Sequence, residues 1–158
     1  FVRLGNRGKV YTAKRRGPST KRRGPSDKGS DAIPQGAPIG SLKSVRVTDV
    51  VAEVKGDDKA RQAAIMITGI PDAYVEDIVL ENVTVSFPGG GTDEDAAREV
   101  PEDIARYPEQ FFFGVLPAWG AYIRHARDIQ FKNVSLSARD EDARQQIVLD
   151  DVTGFKEM

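Results

Sequence analysis

Four stretches of this chain alternate apolar with other residues and interrupt the alternation in the same way: VRVTDVVAEV (45–54), IVLENVTVSF (78–87), IQFKNVSLSA (129–138) and IVLDDVTGF (147–155). A period of two marks a half-buried strand. Each stretch passes through an Asn or Asp that is followed by Val. Aligned on that polar residue, Asp49, Asn82, Asn133 and Asp151 fall in one column, and Val50, Val83, Val134 and Val152 in the next. A recurring strand motif predicts units that stack on one another instead of closing separate cores. The expected fold is therefore an all-β β-solenoid. In a parallel stack the same position of successive coils lies about 4.8 Å apart, so inward Val and Ile build a continuous core. Asn or Asp at the bend tolerates unusual backbone angles and bonds its neighbour's backbone, which gives the polar column a structural role.

The rest of the chain fits between these copies. Residues 1–8 read as a strand, FVRL, entering a turn, GNRG. Residues 9–40 show no periodicity, are rich in Gly, Pro, Ser, Lys and Arg, and contain a tandem heptad, KRRGPST (14–20) and KRRGPSD (21–27). They predict a long basic excursion between coils. Residues 41–158 hold the repeats. After a turn around Gly56, Asp57 and Asp58, a second strand type, AAIMITG (63–69), precedes repeat two, and GAYIRH (120–125) precedes repeat three in the same order. The polar column is spaced by 33, 51 and 18 residues; coils of roughly 20–25 residues with insertions fit those intervals. Most of the excess lies in residues 88–119, which begin PGGGT. Thr92 or Asp93 is placed to cap a short helical turn over DEDAAREV, and Pro101 to open another in VPEDIARY. The aromatic run YPEQFFFGVLPAWG (107–120) is expected to cover an edge or roof a coil.

Composition narrows the function classes. The chain is 39% hydrophobic and 30% charged, and no apolar run reaches the about 18–20 residues of a membrane span, so no membrane partner is expected. The absence of cysteine excludes disulfides and thiolate metal sites. The net charge of −1 hides an asymmetry, since residues 1–30 hold ten Lys/Arg against one acid. Those basic heptads could hold nucleic acid electrostatically, but they lack interleaved aromatics for stacking; a solvated insertion is the preferred reading and no nucleic-acid partner is expected. The chain opens on Phe1 inside a strand-like run, and the first coil of a free-standing stack would expose an apolar edge. Both lead to the expectation of a segment whose partners include upstream coils of the same polypeptide.

Few residues suggest chemistry. His125, the single histidine, would need a carboxylate or a second ligand to act as base or metal site; Asp128 is the one nearby in sequence, and a strand-end structural role competes with substrate contact. With Ala121 and Ile123 inward, Tyr122 and Arg124 point outward, as Arg3 does beside Phe1. An Arg fork next to an aromatic suits a carboxylated sugar, so Arg3, Tyr122, Arg124 and His125 are the candidate substrate contacts, ordinary solvated strand residues being the alternative. Adjacent acids such as Glu102-Asp103 and Asp150-Asp151 point to opposite faces of a strand and do not by themselves form a glycosidase pair; the former is read as a solvated loop, the latter as part of the bend. PGGGT lacks the Gly-Lys-Ser/Thr of a phosphate loop. No catalytic residue, metal ligand or cofactor site is assigned.

FVRLGNRG, ITGIPDAYVEDIVLENV, PGGGT with the following VPED and YPE, FGVLPAWGAYIRHARDIQFKNV and IVLDDVTGF together resemble the C-terminal coils of glycoside hydrolase family 28, the polygalacturonase and rhamnogalacturonase enzymes. The resemblance covers roughly residues 1–8 and 41–155 and is most specific from Gly114 to Val134. It implies a right-handed parallel β-helix, metal-free hydrolysis of acidic, pectic galacturonan-type plant polysaccharide by inversion, and a secreted or periplasmic location. The Asn-Thr-Asp, Asp-Asp, Gly-His-Gly and Arg-Ile-Lys motifs of the family's site have no counterpart: Asp150-Asp151 sits in the closing coil and His125 follows Arg124. The segment alone is expected to be inactive, serving as scaffold and as one flank of a substrate groove. A non-catalytic solenoid module for carbohydrate binding or structure is the alternative.

Overall fold

A computed structural model describes residues 1–6, 39–55, 64–106 and 108–158. The basic heptads, the bulk of the expected loop 9–40, and the turn at 56–58 lie outside the described residues. Among the described residues seven strands follow in order: β1 (Val2–Arg3), β2 (Leu42–Glu53), β3 (Ile65–Thr68), β4 (Val75–Phe87), β5 (Ala118–Ala138), β6 (Gln145–Thr153) and β7 (Lys156–Glu157). Every ladder between them is parallel. The sheet nearly closes on itself, an architecture compatible with a β-solenoid.

The long strands are continuous in hydrogen bonding but turn corners. The first half of β5 lies between β3 and β6, while its second half pairs with β4 and β7. Strand β2 completes the second stack and β1 the first. Residues with positive φ make the corners: Ser44, Asp77 and Asp128 in one register column, Asp49, Asn82 and Asn133 in another, all between 52° and 57°. A left-handed residue reverses the side-chain alternation, and Asn and Asp reach that conformation more readily than most residues. At the second column the side chains form a ladder, Asn133 Nδ2 donating to Asn82 Oδ1 at 2.9 Å and Asn82 Nδ2 to Asp49 Oδ1 at 3.0 Å.

The fourth repeat departs from the expected alignment. Asp151 does not continue the Asp49–Asn82–Asn133 column; the register of β6 on β5 places it beside His125, and Val152 beside Ala126. The closing coil advances 26 residues per position (Ile123 to Leu149, Gln130 to Lys156). One corner further on, Gly154 (φ +70°) meets Asp128, whose Oδ1 would lie 2.6 Å from any added Cβ. The motif repeats because both corners need a left-handed residue followed by an inward apolar one. It therefore cannot say which corner a copy occupies.

Inside the coils Ile67, Val75, Ile78, Ala121, Ile123, Ala126, Ile129 and Phe131 are fully buried, with Val2 and Leu4 packed against them. Outside, the insertion lays Phe113, Leu116 and Ala118 against Met66 and Tyr122, so the aromatic run covers the outer face of β3 and β5. The expected cap is present: Thr92 and Asp95 form a capping box on α1 (Asp93–Ala96). The helical turn expected at Pro101 is not formed; a 3-10 turn stands at Gln110–Phe112 instead, where two adjacent Phe rings pair. The PGGGT loop closes on a buried ion pair. Arg144 binds Asp142 through Nε (2.9 Å) and Nη2 (2.6 Å), the Gly91 N–H donates to the same carboxylate, and a Cβ on Gly91 would lie 2.2 Å from Arg144 Nε.

Candidate functional site

Where the insertion crosses the corner between the two stacks, two of the four candidate residues, Arg124 and His125, converge on the Glu102 carboxylate, and Arg3 reaches the Glu102 carbonyl. Alternation sends Tyr122 and Arg124 away from the core, as expected, but the insertion lies over them. Tyr122 is only 3% exposed. Its hydroxyl donates to Asp150 Oδ2 at 3.0 Å, and burial, together with the Asp150 charge and against that of Arg124, raises the phenol above its ordinary range. Arg124 pairs with Glu102 through Nη2, donates from Nη1 to the Val100 carbonyl at 2.8 Å, and places Nε 3.1 Å from Asp150 Oδ2.

Arg3 joins the same corner. Its Nη1 donates to Thr68 Oγ1, its Nη2 donates to the carbonyls of Glu102 and Asp103 at 3.0 and 3.1 Å, and its guanidinium lies 4.4 Å from the Phe113 ring centre. Burial lowers its pKa from the ordinary value, offset in part by the Glu102 and Asp103 charges. The aromatic beside Arg3 is thus Phe113 of the insertion; Phe1, the neighbour expected from alternation, stays 68% exposed.

His125 stands at the corner itself, with φ +46°. Its carboxylate partners are Asp151, 2.6 Å from Nδ1, and Glu102, 3.2 Å from Nε2. Asp128, the expected partner, occupies the next corner and faces Gly154. Tyr74 completes the group: its hydroxyl donates to Asp151 Oδ2 at 2.6 Å, its ring meets His125 edge-on, and Arg127 stacks on it at 4.0 Å. Hydrogen bonds from Tyr74 and His125 hold the Asp151 carboxyl below the usual range, and the bond to Asp151 raises the Tyr74 phenol.

Glu102, Asp150 and Asp151 are therefore partners of the candidate residues, not the solvated loop and simple bend that their sequence neighbourhoods suggested. No local signal points to them, because the contacts span 22 to 28 residues. The one available hint was chemical, since two adjacent cationic or titratable side chains in a strand, Arg124 and His125, require acids from elsewhere once covered.

Chemically the corner is a carboxylate–imidazole–carboxylate array, Glu102–His125–Asp151, able to hand a proton along its hydrogen bonds. Arg124 already holds carboxylates of this chain, and Arg3 holds backbone carbonyls. Among the described residues no group of three or more His, Asp or Glu is arranged to hold a metal. The accessible part is a groove of about 450 Å³ beside Arg124, where exposed Arg98 and Glu99 and half-exposed Asp150 stand over Pro117 and Val148. No family model matches the chain, and no curated protein or solved structure matches it.

Proposed function

We propose that the chain forms C-terminal coils of a right-handed parallel β-helix glycosidase that hydrolyses pectic, galacturonan-type polysaccharide by inversion, and that these coils supply scaffold and one flank of the substrate groove. The observation that carries the reading is the stretch from Gly114 to Val134. It has the most specific resemblance to glycoside hydrolase family 28, and it forms one continuous unit of covering turn, strand, left-handed corner and strand at the centre of both stacks. The family's acid motifs are missing from the 158 residues, so hydrolysis belongs to other coils of the same polypeptide.

Release of reducing ends from polygalacturonate or rhamnogalacturonan by the full polypeptide, with inverted anomeric product and none from residues 1–158 alone, is the expected result. A full polypeptide inert on both polymers overturns the glycosidase reading. Cleavage by the 158-residue chain, abolished by a point mutation within it, overturns the scaffold role.

One observation favours a second reading, a non-catalytic solenoid module. Arg3, Tyr122, Arg124 and His125, the groups read as substrate contacts, are all engaged by the chain's own acceptors. That reading expects no hydrolysis by the full polypeptide and no polygalacturonate binding that depends on these four side chains.

A further inference from the structure

We propose that His125 is a proton-controlled clamp: as an imidazolium it bonds Glu102 of the insertion and Asp151 of the closing coil at once, and on losing one proton it releases Glu102. The ring sits between two carboxylates from different parts of the chain. Asp151 of β6 lies 2.6 Å from Nδ1, and the two oxygens of Glu102 lie 3.2 and 3.3 Å from Nε2. Ionised carboxylates only accept. A neutral imidazole has one N–H and one lone pair, whereas the imidazolium donates from both nitrogens. Both contacts are therefore satisfied together only in the charged form.

The surroundings decide which contact fails. The Asp151 contact is the shorter, and the same oxygen also accepts the Tyr74 hydroxyl from the β3–β4 turn at 2.6 Å. The remaining proton stays on Nδ1, and Nε2 turns a lone pair towards Glu102. The other charged groups of the corner do not relieve that conflict. On β5, Arg124 is shared between Glu102 and Asp150, and Arg127 stacks on Tyr74. Arg3 of β1 binds Thr68 and the backbone carbonyls of Glu102 and Asp103, while the Asp103 carboxylate pairs with Arg106. None of these offers Nε2 a donor.

The clamp acts on the wall of the groove. Arg98, Glu99 and Val100 line it just ahead of Glu102, and Arg124 holds the Val100 carbonyl. The side chains of His125 and Glu102 are 11 and 26% exposed, so water replaces the lost bond poorly. A proton bound more tightly in the closed form stabilises that form at low pH. The insertion is therefore held below the titration of the ring and loosens as pH rises through it.

The test is a pH series by NMR on the 158-residue chain, whose single histidine gives one ring signal. The Asn6 N–H, bonded to the Ile104 carbonyl, and the Arg106 N–H, bonded to that of Asp103, report on the insertion beside the clamp; the Ala143 N–H, bonded to the Gly91 carbonyl, reports on its far end. The ring nitrogen shifts are expected to pass from the imidazolium to the Nδ1–H tautomer. Amide protection at Asn6 and Arg106 should fall about tenfold at the same midpoint, one charge-assisted hydrogen bond's worth, with Ala143 unchanged. Glu102→Gln should abolish the step, because a carboxamide can donate to the neutral Nε2. His125→Asn, which suits the left-handed corner and does not titrate, should abolish it too. A flat profile, a midpoint apart from that of the ring, an Nε2–H tautomer, an equal fall at Ala143 or a step that survives Glu102→Gln overturns the proposal. As a control on a substrate groove the clamp rests on the function proposed above; ring titration and amide protection are read without substrate, so an inert polypeptide in the polygalacturonate assay leaves them standing.

Discussion

Gly91 and Arg144 show how single residues hold the insertion to the coils. The side chains of Arg144 and Asp142 are both 1% exposed, so each charge depends on the other. Arg144→Ala leaves a buried carboxylate with its cation gone and is expected to cost about 3–5 kcal/mol, read from urea unfolding. Gly91 needs no special φ; it is excluded from carrying a side chain by the guanidinium pressed against it. Gly91→Ala is expected to lose about 1–3 kcal/mol through overpacking, and less in an Arg144→Ala background, where the closest contact is gone and Asp142 Oδ1, 2.6 Å from the added Cβ, remains. The glycines of PGGGT were visible in the sequence. Their purpose was not, since Arg144 lies more than fifty residues further along.

At the level of elements, the corner is the unit that turns strands into coils. Each corner asks for a left-handed residue, and the Asn ladder adds a cross-coil bond to that conformational demand. The two contributions separate experimentally. Asn82→Gly keeps the backbone geometry and loses the ladder, at about 0.5–1.5 kcal/mol per hydrogen bond. Asn82→Ala loses the ladder and keeps a Cβ in the left-handed region without the polar side chain that makes Asn tolerable there, costing about 1–2 kcal/mol more than Gly. A smaller loss for Gly than for Ala in thermal unfolding is the expected order; equal losses would mean that conformation contributes nothing. The short elements were less legible. Thr92 announced its cap because a capping box is local. The turn expected at Pro101 is replaced by a path that brings Glu102 over Arg124 and His125, and tertiary pairing outweighs the weak preference of one proline.

For the whole molecule, the cited carboxyl and phenol environments set a stability window. Burial pushes the Asp142 carboxyl up, but bonds from Arg144 and from the Gly91 and Arg144 N–H groups outweigh it and hold it below the usual range. Asp151 is lowered by Tyr74 and His125. A group with a depressed folded pKa stabilises above its unfolded value, about 4, and that contribution is lost as pH falls through the folded value. Unfolding midpoints are expected to drop on acidification below about pH 4, with a shallower drop in Asp151→Asn. Tyr122 has the opposite sign. Its raised phenol contributes below the unfolded value of about 10 and loses that contribution as pH rises. Tyr122→Phe should flatten the alkaline limb of the pH–stability profile; an unchanged limb would count against burial as its cause.

The sequence by itself determined the long repeat strands, their inward Val and Ile, and the bends at Asp49, Asn82, Asn133 and Asp151, because period-two alternation and Asn/Asp conformational preference act over a few residues. It also singled out Arg3, Tyr122, Arg124 and His125 as residues worth watching. Only the tertiary structure decided which corner each repeat copy occupies, shifting Asp151 from the Asn column to that of His125. It also decided that Tyr122 and Arg124 are covered and that Glu102, Asp150 and Asp151 are their partners. Those outcomes depend on how an insertion folds back across the coils. Coil length and side-chain pairing over long separations set that path, and no local pattern encodes either.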